Sequence, residues 1–203
     1  MDKRDALFLF LPILLWPITF IVLKRVFIYS MLVSTFILAI ISLRWYRKRI
    51  KWAGKRIYVS IIAGVIGAFL LYLVFYIGWY ATLYLGMNSL VGNVYSMIYA
   101  GVAKMPLIFI LALIGIFEEI YWRGALQGYI KKSLMPLIGA FPWIGSTLYY
   151  SAVHISTLNP ILVLSAFFVG LVTSVIADRY GIISSMLTHI IWIELIVVFI
   201  PLL

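Results

Sequence analysis

A chain of 203 residues that is 66% apolar and only 11% charged lies well outside the range of ordinary soluble domains, and is expected to be a polytopic membrane protein. Its formal charge of +10 is read as bases sorted between two sides of a bilayer, not as a nucleic-acid surface. The absence of cysteine excludes disulfides, iron–sulfur clusters, thiolate zinc sites and cysteine nucleophiles.

In chain order, residues 6–23 form an apolar run after Lys3 and Arg4. No small-x-small cleavage site follows, and Lys24 and Arg25 lead into a second run at 27–43, so the two are expected to form an uncleaved hairpin of spans. Pro12 and Pro17 are expected to kink the first. The segment RWYRKRIKWAGKR, residues 44–56, carries seven bases among aromatics and is expected to lie on anionic lipid headgroups. A third run, 57–86, exceeds the hydrocarbon thickness and must tilt or project, and its Ala63, Gly64, Gly67 and Ala68 suit close helix contact. Residues 87–104 read as a connection with room for a short interfacial helix. The fourth span is expected from near Met105 to Lys131 and Lys132, with Gly124 and Gly128 as a second close-packing face. A fifth runs from about Pro136 to His154 with Pro142 as a candidate kink, a sixth from about Pro160 to Ala177, and a seventh from Ile182 onward.

The expected fold is an all-α polytopic bundle of seven or eight transmembrane helices enclosing an intramembrane polar cavity, one domain over residues 1–203. With the N-terminus and the 44–56 loop on the cytoplasmic side of the cell membrane, thirteen of the 16 Lys and Arg residues fall on or near that side, and only Lys24, Arg25 and Lys104 lie opposite.

The six acids are Asp2, Asp5, Glu118, Glu119, Asp178 and Glu194, of which only the three glutamates fall within spans. An ionisable group at mid-membrane costs at least ~2.5 to 3.5 kcal/mol, so such residues pair, face a cavity and mark function. Glu119 and Arg123 lie one turn apart on one helical face and form a built-in pair. Glu118 points elsewhere, towards the side of Tyr121 and Trp122, with no partner on its own helix. An unpaired carboxylate beside aromatic rings suits general acid–base work. The two histidines, His154 and His189, also fall in apolar helices. Counted at ~1.5 Å per residue from the inner surface, Glu118, His154 and His189 lie at about 20, 27 and 15 Å, all within the hydrocarbon slab. A single cluster would satisfy them better than three isolated sites, because lipid offers no partners.

The chain has no HExxH, no GxSG and no GxGD pair. It does have E-E-x-x-x-R as Glu118, Glu119 and Arg123, followed by Gly124, an aromatic-x-x-x-His as Tyr150 to His154, and a further histidine at His189. This order resembles the CAAX prenyl endopeptidases and bacteriocin-processing enzymes, the Abi or CPBP family of intramembrane glutamate proteases, over a core of about residues 105–200. The resemblance implies that Glu118 with His154 activates a water, that His189 with an Asn or Asp four residues later holds the oxyanion, and that the substrate is a membrane-associated or lipidated peptide. Here position 193 is Ile193, which donates nothing; Trp192 offers an indole N–H nearby, while Glu194 lies about 100° further round the helix. No cofactor is expected, with zinc held by Glu118, His154 and His189 as the alternative. Two readings of other classes stay open: a noncatalytic scaffold or immunity protein, which Ile193 favours, and a proton-coupled transporter.

Overall fold

The computed structural model describes residues 2–134 and 141–203, and their regular structure is entirely helical. Among the described residues six helices are long and apolar enough to cross a membrane: α1 Lys3–Val22, α2 Lys24–Arg49, α3 Ile57–Tyr84, α5 Lys104–Ser133, α7 Pro160–Tyr180 and α8 Ile182–Phe199. Two shorter ones among the described residues accompany them, α4 Asn88–Tyr99 in the expected connection and α6 Pro142–Val153. A fifth span starting at Pro136 is therefore not what the described residues contain. Pro136 itself lies outside them, and Pro142 opens α6 at its first turn, where a missing N–H costs nothing, instead of kinking a longer helix. The outward face of α3 carries Ile66, Phe69, Leu73 and Ile77, all more than half exposed, as a lipid-facing surface requires.

The small residues of α3 set how closely it approaches α8. A Cβ on Gly64 would stand 2.7 Å from the Ser184 carbonyl oxygen and 2.8 Å from Leu187 Cβ. Thr188 uses that approach to donate to the Gly64 carbonyl at 3.0 Å. Gly64→Ala is accordingly expected to push the two helices apart and destabilise the protein by ~1 to 3 kcal/mol, seen as a lower thermal midpoint in detergent. An unchanged midpoint would show that this contact is soft.

The 44–56 segment is more than a loop resting on headgroups. After α2, residues 50–53 form a strap across one end of the bundle. The amides of Ile182 and Ile183, orphan donors at the start of α8, bond to the carbonyls of Lys51 and Trp52 at 2.8 and 2.9 Å. Gly181, at φ +89°, passes so close to the Ala53 backbone that a Cβ there would meet it at 2.6 Å. Lys51 donates to the carbonyls of Asp178 and Arg179 at 2.6 and 2.8 Å. Buried Ile50 covers Gly124, and the Arg49 carbonyl lies 2.7 Å from where a Cβ of Gly128 would be, so the second glycine face of α5 receives the strap. At the same end Lys131 pairs with Asp178 at 2.8 Å, and Asp5 accepts from Tyr46 and Tyr129.

Candidate active site

Halfway along α5 the backbone leaves α geometry and runs π-helical from Ile120 to Leu126, a widened turn of a kind common at functional sites. Glu119 and Arg123 still meet, with Nε 3.6 Å from Glu119 Oε2. Arg123 Nε also donates to Thr173 of α7 at 2.7 Å, and its guanidinium lies 4.4 Å over the Tyr150 ring. Both ends of the pair are fully enclosed, as the expected built-in pair requires.

Glu118 is not partnerless. Tyr150 of α6 donates to its Oε2 at 2.9 Å, and His189 Nε2 of α8 stands 3.7 Å from the same oxygen. His189 Nδ1 lies 2.9 Å from Glu119 Oε1, where only a proton on that nitrogen makes a hydrogen bond to an ionised carboxylate. One imidazole thus bridges two adjacent carboxylates whose Cα atoms point to different sides of α5. Glu118, Glu119, Arg123 and His189 are each at most 3% exposed. The one permanent cation of the cluster, Arg123, lies on the Glu119 side, while His189 reaches both carboxylates.

His154 sits in the 3₁₀ turn that follows α6. Starting the depth count at Pro142 in place of Pro136 brings it to about 18 Å, level with Glu118 and His189. Its Nε2 accepts from Trp16 Nε1 of α1 at 3.3 Å, and its Nδ1 lies 2.7 Å from the Tyr150 carbonyl oxygen. An indole N–H can only donate and a carbonyl can only accept, so these two partners require the neutral, Nδ1-protonated tautomer. Among the described residues no hydrogen bond joins His154 directly to Glu118. Tyr150 connects them, its hydroxyl on Glu118 and its carbonyl on His154.

Glu118, Tyr150, His154, His189 and Trp192 all line one cavity of about 600 Å³ whose remaining wall is almost entirely apolar. Two buried polar atoms of its lining residues have no hydrogen-bond partner among the described residues: Glu118 Oε1 and Trp192 Nε1. Ile193 lines the cavity beside Trp192 and adds only hydrocarbon. Glu194 is buried but does not line it. Glu118, His154 and His189 are not gathered as a metal site, for no group of three His, Cys, Asp or Glu among the described residues is placed to hold one ion. His154 would have to release Trp16 or Tyr150 before either nitrogen could ligate.

Sequence reasoning missed Trp16 and Thr173. A tryptophan inside the first span was a usable signal, because its N–H finds no acceptor in lipid and must find one in the protein. Residues 101–193 match the family model "Type II CAAX prenyl endopeptidase Rce1-like". No curated protein and no solved structure matches the chain.

Proposed function

We propose, from the match of residues 101–193 to the Type II CAAX prenyl endopeptidase Rce1-like family model, that this multi-pass membrane protein is an intramembrane endopeptidase in which Glu118 activates the attacking water. The observation that carries the reading is the convergence of Glu118, Tyr150 and His189, from three helices, on the floor of an otherwise apolar cavity. The substrate is a membrane-associated peptide, lipidated or simply apolar.

In this reading Tyr150 occupies Glu118 Oε2 and leaves Oε1 to take a proton from water. The resulting hydroxide adds to the peptide carbonyl, the C–N bond breaks, and the proton held on Glu118 passes to the leaving amine. Glu119 orients His189 through Nδ1, so Nε2 is directed at the reaction centre. Trp192 Nε1, buried and unpartnered in the cavity wall, supplies the oxyanion donor that Ile193 cannot. His154 acts through its fixed tautomer: it holds the Tyr150 carbonyl and, with it, the hydroxyl on Glu118. No step is routed through a metal, and no cofactor is invoked.

Incubating the reconstituted protein with membrane peptides and sequencing the products by mass spectrometry is expected to reveal a discrete cleavage. Finding none across apolar and lipidated peptides would overturn the reading and leave a noncatalytic scaffold, which Ile193 in place of a donor favours. Trp192→Phe keeps an aromatic side chain and removes the N–H, so turnover is expected to fall by ~100-fold, the usual loss for one oxyanion donor. An unchanged rate would remove Trp192 from the chemistry. Chelators are expected to leave cleavage unchanged; inhibition reversed by zinc would recast Glu118, His154 and His189 as ligands.

A further inference from the structure

The cavity occupies the half of the bundle away from the strap. Each helix that lines it does so with its half away from the strap: α3 with Val74 to Thr82, α7 with Ile161 to Val169, and α8 from His189 onward. Phe20 and Phe27, which flank the turn between α1 and α2, line it too, as does α4. Towards the strap the way is filled. Tyr121, Trp122, Arg123, Leu126, Gln127 and Tyr129 are all buried, and Tyr46 and Ile50 close over them.

The two ends also differ in charge. At the strap end Lys51 holds the carbonyls of Asp178 and Arg179, Lys131 pairs with Asp178 and Asp5 accepts from Tyr129, while Arg44, Arg47, Lys48 and Lys55 remain exposed. The far end carries only Lys24, Arg25 and Lys104. Arg123 is buried in the core and drops out of the orientation signal, yet the asymmetry stands, and bases mark the cytoplasmic side.

The wall has a gap facing lipid. Near the strap α3 and α8 are in tight contact at Gly64, but further along a Cβ on Gly78 would meet nothing within 4 Å. Gly78 and the exposed Ile77 on α3, with the exposed Leu164 and Phe168 on α7, border the cavity at this level. No charged side chain lines the cavity apart from the groups at its floor. A charged or strongly hydrated peptide would lose its water there without replacement.

Resting on the endopeptidase reading, we infer that the site is served from the extracytoplasmic side, through the lipid-facing gap between α3 and α7. Its substrate is an uncharged, apolar peptide segment already lodged in the outer leaflet. The bond cut lies about 20 Å below that surface, since Glu118 is 14 residues along α5 from Lys104. Such a substrate is one that an export or membrane-insertion step must deliver, not one taken from the cytoplasm.

Two measurements test the route without depending on cleavage. In this cysteine-free chain, Met97→Cys in the cavity wall is expected to react with an impermeant thiol reagent added to intact cells, whereas Lys48→Cys beside the strap reacts only after permeabilisation. The reverse pattern would overturn the orientation. In proteoliposomes, a diazirine-bearing apolar helical peptide is expected to photo-crosslink to α3 and α7, with Gly78→Trp lowering the yield at least tenfold and Gly78→Ala leaving it unchanged. Equal crosslinking in Gly78→Trp would overturn the gap as the entry. Labelling and crosslinking as expected, without any peptide cleavage, would instead sink the endopeptidase reading and leave the route intact as a binding path.

Discussion

Glu118→Gln is expected to give a folded protein whose peptide cleavage has fallen by ~1,000-fold or more, within the range that general acid–base groups supply. The amide keeps the size of the carboxyl and can still accept the Tyr150 hydroxyl through its oxygen. It cannot take a proton from water at the position of Oε1. Because the substitution removes a charge from a site 3% exposed, the thermal midpoint is expected to hold or rise, which separates lost chemistry from lost folding. The checks are a product assay beside a melting curve on the same preparation. A variant that cleaves at the parent rate would end the assignment of Glu118 as base, and Glu119 could not replace it, being committed to Arg123 and His189.

Arg123→Met is expected to act on folding first, at a cost of ~3 to 5 kcal/mol, and so to cut the yield of folded protein sharply. Methionine fills much of the apolar stem's volume, but it leaves Glu119 without its permanent cation and leaves Thr173 without the donor it accepts from. Combining it with Glu119→Gln removes both charges and is expected to recover much of the loss. Yield by fluorescence-detected gel filtration and midpoints in detergent would report both effects. Normal yield with altered turnover in the single variant would instead place Arg123 in the chemistry, through its guanidinium over the Tyr150 ring.

The spans were legible because a bilayer leaves the backbone few options, and uncharged runs bounded by Arg, Lys and Gly mark their ends directly. The Glu119–Arg123 pair was legible for the same local reason, both residues lying on one helix. The partners of Glu118 were not, because Tyr150 and His189 arrive from helices whose rotation about α5 no pattern in one chain specifies. His154 was counted as deeper than Glu118 and His189, whereas all three line one cavity, His154 from the turn after a helix that begins at Pro142. The 44–56 segment was legible only in part. Its charge drew the reading towards lipid, while the one apolar residue that decides its role, Ile50, passed without notice.

The anchoring of His154 by Trp16 limits how this protein could be recombined with others. Trp16 lies outside the matched residues 101–193, and Tyr121 and Tyr149 likewise donate to carbonyls of α1, at Phe8 and Leu9. Residues 101–193 are therefore not a cassette. A chimera that keeps them but borrows its first helix from another chain would carry every motif residue and still lack the Trp16 donor on His154 Nε2. The Trp16–His154 contact returns only when the first helix and the core are inherited together.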